Sequence, residues 1–263
     1  MGSETGVARP PGQVVAAAVA GAAITPLMPA YGTWPVGLAA LPVLAVVAFA
    51  GHRHHVPELV DAAAVVGLMD LIALAPVVGV WPLAPLLALV SVGAVLAMRR
   101  RLDRWRDWLR LGRVDRLSVL LVVAVQVVSV VALLTWTRMF DGALPALYAD
   151  AAREAGPLAA GLGGFLFLVV NGLVEDSLFF GVLLSSLDRV LPGWLAVGLT
   201  AAAFGFAHLH GIPNGVVGVA MAGSWALLLA ALRLRTGGML ATYAAHIVAD
   251  TTIVLMLLPA VFR

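Results

Sequence analysis

The stretch 171-NGLVEDSLFFG-181 decides how the rest of the chain is interpreted, because it places two adjacent acids inside an apolar run. The run begins at Pro157 and continues to Leu187, and Glu175 and Asp176 lie well inside it. An ionised carboxylate at the centre of a bilayer costs about 2.5–3.5 kcal/mol on insertion scales. Two adjacent carboxylates also repel each other, so we expect the pair to serve a function and the other helices to support it.

The composition is that of a helical membrane protein. Of the 263 residues, 62% are hydrophobic and 11% are charged, whereas soluble domains carry about 25% charged residues. Apolar runs near the length of a membrane-spanning helix recur along the chain. The absence of cysteine excludes disulfides, thiol catalysis and cysteine metal ligands. We therefore predict an all-α, polytopic membrane bundle of about 8–9 transmembrane helices.

Nine apolar runs are candidate spans, and proline or glycine residues separate several of them. The sixth run is long for one span, which predicts a tilted helix or one that extends beyond the bilayer. In chain order the runs are Val14–Ala30, Trp34–Ala50, Leu59–Val77, Pro82–Met98, Leu117–Trp136, Pro157–Leu187, Gly193–Leu209, Gly215–Leu232 and Met239–Phe262.

The segment 99–116 contains eight arginines interleaved with acids and tryptophans. This pattern predicts a basic, amphipathic helix at the membrane interface, and a charged loop lying on anionic headgroups is equally compatible with it. The segment is short and lies beside spans, so we expect lipid and not nucleic acid as its partner. With this segment in the cytoplasm, alternating loops leave only Arg138, Arg153 and Arg263 outside. The positive-inside rule then predicts a cytoplasmic N-terminus in the cell inner (plasma) membrane.

Few titratable side chains fall inside the proposed spans, and most of them lie in the last third of the chain. His246 and Asp250 are four residues apart and share one helical face, as do Asn171 and Glu175. Phe204 precedes His208 by the same spacing. Three helices can therefore direct these groups into one interior cavity. The titratable residues inside all the proposed spans are Asp61, Asp70, Glu175, Asp176, His208, His246 and Asp250.

Such a cavity suits hydrolysis. A water held by Glu175 and a histidine can attack a carbonyl with the carboxylate as general base, and donors on the opposing helix can hold the oxyanion. The same residues also suit another class of protein, a transporter that uses the buried acids as a proton or ion relay.

Three motifs follow one another on successive C-terminal helices: Glu-Asp-x-x-x at 175–179, Phe-x-x-x-His at 204–208 and His-x-x-x-Asp at 246–250. This order resembles the CAAX-protease and bacteriocin-processing (CPBP) family of intramembrane endopeptidases, which includes the type II CAAX prenyl endopeptidase. The family pattern is Glu-Glu-x-x-x-Arg, Phe-x-x-x-His and His-x-x-x-Asn/Asp. The resemblance covers about Pro157–Phe262 and implies a catalytic core over 157–263. The N-terminal transmembrane helices over 1–156 match the family only in being hydrophobic, and we expect both parts to form one integrated bundle.

The resemblance also implies catalytic roles. Glu175 would activate water, His208 would help to position it, and His246 with Asp250 would polarise the scissile carbonyl. The substrate would be a peptide or protein delivered in the membrane. Family members include metalloproteases and metal-free glutamate proteases, so zinc stays open as a cofactor; its ligands would be Glu175, His208 and His246. The supporting residues would be Asn171, Asp176, Phe180 and Phe204.

Two positions depart from the family pattern. Asp176 replaces the second glutamate, and Phe180 replaces the arginine that would pair with it on one helical face. Asp176 must therefore be neutral, face water or pair elsewhere. We expect Phe180→Arg to leave activity equal or higher, because the proposed base is Glu175. The lost arginine also allows a third interpretation, a non-catalytic membrane scaffold or immunity protein.

Overall fold

The computed structural model describes residues 10–31, 34–75, 77–140 and 146–261, without side chains at 34, 146–153, 155 and 257–261. Phe262, the predicted end of the ninth apolar run, lies outside these ranges, as do Arg9 and Arg263, which enter the count of loop arginines. Within them the chain forms twelve α-helices and no strand. The helices are α1 Gly12–Ile24, α2 Leu27–Tyr31, α3 Trp34–Arg53, α4 Pro57–Ile72, α5 Leu83–Met98, α6 Leu102–Leu109, α7 Arg116–Met139, α8 Ala146–Asp176, α9 Leu184–Asp188, α10 Gly193–Ala207, α11 Gly215–Thr236 and α12 Leu240–Val261.

Each predicted apolar run is helical over most of its length, which confirms an all-α, multi-pass membrane architecture. In the described ranges five helical segments are long and apolar enough to cross a membrane, fewer than the predicted number of spans. The apolar helix Leu83–Met98 is shorter, and of the apolar helix α12, which continues to Val261, the segment Leu240–Met256 has described side chains. The five segments are Gly12–Tyr31, Pro35–Arg53, Arg116–Met139, Gly156–Asp188 and Gly215–Thr236.

The two halves of the chain share one packed interior. In the first half, which comprises α1 to α6, α3 packs between α1 and α4, and α4 packs against α5. In the second half, which comprises α7 to α12, α10 packs on α11, and α12 packs on α7 and α8. Helices α1 and α4 of the first half also contact α9 of the second half. Side chains from both halves, such as Leu59, Met69, Phe179 and Leu187, lie in the same apolar cluster.

Helices α7 and α8 turn most of their surface outward. Large apolar side chains such as Val128 on α7 and Leu158 and Phe165 on α8 are more than half exposed. A soluble protein rarely exposes a continuous apolar surface of this extent. In a bilayer the same surface lies against acyl chains, and the helical backbone satisfies its own polar groups there.

The basic segment 99–116 is docked onto the bundle. Its helix, α6, spans only Leu102–Leu109, and Trp108 is 3% exposed. The ring of Trp105 covers Gly93 so closely that a Cβ there would clash with it. Arg104 forms an ion pair with Asp61. Trp108 is therefore buried in protein, and the half-buried Trp105 packs against it and against α5.

An extended stretch after α6 pairs with the turn between α11 and α12. The amide of Arg113 donates to Thr236 O at 2.9 Å, and that of Met239 donates to Arg110 O at 2.7 Å. The backbones cross at Gly112 and Gly238, where an added Cβ would overlap the facing main chain. This crossing, the 112–238 clip, ties the basic segment to the start of α12.

Several loops that the arginine count places in the cytoplasm meet at one end of the bundle. Arg235 hydrogen-bonds to Asp115 and, together with Ser118, holds the pKa of this exposed carboxyl below its ordinary value. The loop after α3 reaches the start of α1 at this end. The other contacts are Glu58 with Arg189 at 3.3 Å, and His54 with Gln13 at 3.2 Å.

Candidate active site

His246 on α12 is the centre of a buried cluster of acids. Its Nδ1 lies 2.7 Å from Asp176 Oδ1, and its Nε2 lies 3.3 Å from Glu175 Oε2 and 3.7 Å from Asp250 Oδ1. All four residues are at most 8% exposed. The structure therefore brings Glu175, Asp176, His246 and Asp250 together in the interior of the protein.

A close approach of α8 to α12 makes these contacts possible. Gly172 faces the imidazole, and a Cβ built there would lie 3.2 Å from His246 Cγ. Three residues before His246, the Tyr243 hydroxyl donates to Val169 O at 2.9 Å. Any side chain larger than that of glycine at position 172 would push the two helices, or the imidazole, apart.

The helix changes character directly after the acid pair. Ser177–Leu183 is π-helical, and every side chain in it is buried. In a π-helix the hydrogen bonds run from i to i+5. Asp176, directly before this segment, pairs with His246, whereas Phe180 inside it is stacked on Phe204. Short π-helical segments are frequent at functional sites.

An aromatic cluster links the two histidines. Phe204 stacks on Phe180, with ring centroids 5.7 Å apart at 19°. It also lies 4.7 Å from the ring of His208 and 6.2 Å from that of His246. Trp225 on α11 closes the cluster, with its ring at 82° to His246 and 5.1 Å away. Phe180 is fully buried here, so the position of the motif arginine is part of the packed interior.

His208 lies at the end of α10, in a 3-10 turn that spans His208–His210. Its Nδ1–H donates to Phe204 O at 3.0 Å, which leaves Nε2 with a free lone pair. The side chain is half-buried, and its ring lies against Phe204. His208 is thus linked to the acid cluster through the aromatic rings, with Nε2 as an acceptor.

Asn171 joins the cluster to the first half of the chain. Its Nδ2 donates to Asp250 Oδ2 at 3.2 Å, and its Oδ1 accepts from Trp81 Nε1–H at 2.7 Å. Helical spacing predicts that Asn171 lies on the face of Glu175, whereas no motif predicts the contacts of Trp81 and Trp225. Trp81 carries no local signal, since it belongs to a turn 90 residues away from Asn171.

The arrangement does not form a metal centre. In the part of the chain that the structure describes, no three imidazole or carboxylate groups are placed to hold one ion. Both ring nitrogens of His246 face carboxylates, and Nδ1 of His208 is occupied by a carbonyl. Glu175, His208 and His246 are therefore not gathered around one ion position in the described part of the chain.

The fold and site define a multi-pass helical membrane protein with a buried imidazole between carboxylates. Residues 157–252 match a family model described as type II CAAX prenyl endopeptidase Rce1-like. The match covers about a third of the chain and contains all four residues of the acid–imidazole cluster. It confirms the resemblance to the CAAX-protease family, a family of membrane proteases, for this region. Comparisons with curated proteins and with solved structures found no match.

Proposed function

We propose that this protein is a membrane endopeptidase that hydrolyses a peptide bond with a water activated by Glu175. The observation that carries the proposal is the 3.3 Å contact between Glu175 Oε2 and His246 Nε2 in a buried site. Both residues lie in the region that is similar to the Rce1-like endopeptidases. A carboxylate and an imidazole at this distance, out of bulk water, are suited to moving protons to and from a reacting group.

In the reaction, the Glu175 carboxylate takes a proton from water as the water oxygen attacks the carbonyl carbon. The carbonyl oxygen becomes an oxyanion, which the His246 Nε2–H of the imidazolium form stabilises. When the tetrahedral intermediate collapses, the carbon–nitrogen bond breaks and the proton held by Glu175 passes to the leaving amine. His208 Nε2 accepts a hydrogen bond from the attacking water and orients it.

Asp176 supports His246 in place of a motif arginine. It accepts the Nδ1–H at 2.7 Å, which fixes the ring so that Nε2 faces Glu175. Asp250 adds a second carboxylate near Nε2, four residues further along α12. In a desolvated site the hydrogen bond to Asp176 holds the imidazole in one orientation.

We further propose the predicted setting: the cell inner (plasma) membrane, an N-terminus in the cytoplasm and a peptide or protein substrate that arrives through the bilayer. The meeting of the arginine-rich loops at one end supports this orientation. The family description suggests a substrate that ends in a prenylated cysteine followed by three residues.

The test uses the full chain in liposomes and two quenched peptides, one prenylated on its cysteine and one not. Glu175→Gln should lower kcat by about 10²–10⁴-fold, because it removes the general base. Glu154→Gln is the control, since Glu154 is exposed and lies in the part of α8 before the non-helical break at Gly156. It should cleave at the rate of the unmodified chain.

Three outcomes would contradict the proposal. Undiminished cleavage by Glu175→Gln would remove the mechanism. The transporter with a proton or ion relay would be favoured if the unmodified chain cleaves no peptide but carries a proton or ion flux that Glu175→Gln abolishes. Loss of cleavage on chelation, restored by added zinc, would show that the acids and imidazoles rearrange around a metal.

A further inference from the structure

Trp81 is the contact through which the first half of the chain reaches the acid–imidazole cluster. It lies in the turn between α4 and α5, outside the matched residues 157–252. Its indole Nε1–H donates to Asn171 Oδ1 at 2.7 Å, a short hydrogen bond between side chains. The ring is half-buried, whereas Asn171 is 4% exposed. Trp81 therefore closes the buried site on the side of Asn171.

This bond determines which way the amide of Asn171 points. An indole nitrogen can only donate, so the amide oxygen must face Trp81 and the NH₂ group must face away from it. The NH₂ group then meets Asp250 Oδ2 at 3.2 Å. A flipped amide would direct two donors at each other at the position of Trp81 and two acceptors at each other at Asp250. Trp81 thus removes one of the two amide orientations.

The amide in turn sets the rotation of the Asp250 carboxylate. One oxygen of Asp250 accepts from Asn171, which leaves the other oxygen 3.7 Å from His246 Nε2. Without the amide bond the carboxylate is free to rotate about its terminal torsion, which is broad and roughly two-fold. The contact between Asp250 and His246 therefore depends on a donor that lies 169 positions before Asp250 in the chain.

We propose that Trp81 is a positioning residue for the hydrolytic site, acting through Asn171 and Asp250 on His246. The inference rests on the proposed function for its effect on turnover, but the hydrogen-bond chain that it describes does not. It makes the first half of the chain a contributor to the site. A Trp81 that only anchors its turn to α8 would affect stability and leave the imidazole unchanged.

The kinetic test is a double-mutant cycle on cleavage of the prenylated peptide in liposomes. Trp81→Phe keeps the aromatic bulk and removes the donor, and should lower kcat by about tenfold with KM unchanged. Asn171→Ala should lower kcat at least as much. The double variant should match Asn171→Ala alone, because Trp81 acts only through the amide. Trp194→Phe is the matched control, since Trp194 is 76% exposed, and should change neither constant.

Two kinetic outcomes would overturn the inference. Full kcat in Trp81→Phe with a lower unfolding temperature would reduce Trp81 to an anchor of its turn. A loss of kcat in the double variant equal to the product of the two single losses would show that Trp81 acts independently of Asn171.

An NMR experiment that needs no peptide cleavage tests this inference separately from the proposed function. The indole ¹⁵N–¹H resonance of Trp81, assigned by its loss in Trp81→Phe, should move in Asn171→Ala and in Asp250→Asn. A resonance that stays in place in both variants would overturn the hydrogen-bond chain. If the resonance moves but the protein cleaves no peptide, the hydrogen-bond chain is supported and the proposed endopeptidase function is refuted.

Discussion

Gly172→Ala tests whether the close approach of α8 to α12 sets the geometry of the site. The added Cβ would lie 3.2 Å from His246 Cγ and 3.4 Å from its Cβ and Cδ2. Carbon atoms are in optimal contact at about 3.5–4.0 Å, so the imidazole must give way by a few tenths of an ångström. That displacement is enough to lengthen the contacts of His246 with Glu175 and Asp176.

The expected effect is on turnover more than on stability. A misplacement of about 1 Å at a reacting group can lower a rate by about 10²-fold, so a shift of a few tenths should lower kcat about tenfold. Alanine also gains up to about 1 kcal/mol over glycine in a helix interior, which offsets part of the steric strain. The unfolding temperature should therefore change by only a few degrees.

Two glycines of the same helix provide controls for kinetics on the quenched peptides and for thermal unfolding in detergent. In Gly164→Ala the new Cβ would lie 3.1 Å from a Val254 methyl of α12, an equally tight contact with no imidazole. In Gly161→Ala it would meet nothing within 4 Å. Both should keep full kcat. Full kcat in Gly172→Ala would refute the reasoning, and an equal loss in Gly164→Ala would assign the effect to helix separation.

Two further changes test the packing around the site. Phe180→Arg should unfold or inactivate the protein, since it removes the stack on Phe204 and buries a charge at a cost of several kcal/mol. The control Phe180→Leu should stay folded and active. An active Phe180→Arg variant would contradict this expectation. Gly238→Ala should destabilise by about 1–3 kcal/mol or more, because its Cβ overlaps the main chain at Gly112. Gly198→Ala, which meets nothing within 4 Å, is its control; equal unfolding temperatures for the two variants would refute the 112–238 clip.

The expectation for Phe180→Arg reverses the one drawn from the motif. On an α-helix an arginine four residues after Asp176 would share its face and pair with it. In the structure Asp176 pairs instead with His246, and the fully buried Phe180 stacks on Phe204. Which of these two geometries applies is decided by the tertiary packing of Ser177–Leu183 and not by the spacing of the motif letters.

Local periodicity is sufficient for the class of fold and for most of the cluster. Apolar runs of the right length predict membrane helices, and a spacing of four residues puts His246 beside Asp250 and Asn171 beside Glu175 whatever surrounds them. The pairing of α8 with α12 is a further step, because it joins residues 70 positions apart, such as Asp176 and His246. The motif order predicted that these helices converge, but not which atoms meet.

Contacts between distant segments were decided only by the tertiary structure. Composition shows that segment 99–116 is basic and amphipathic, and it cannot show that Trp108 is buried in protein and that Trp105 packs against α5. Likewise, a lone Trp81 in a turn resembles any interfacial tryptophan until Asn171 is placed 2.7 Å from it. The physical reason is the same in both cases. Helical spacing constrains neighbours within a few turns, whereas a hydrogen bond or a ring contact between segments depends on how whole helices pack.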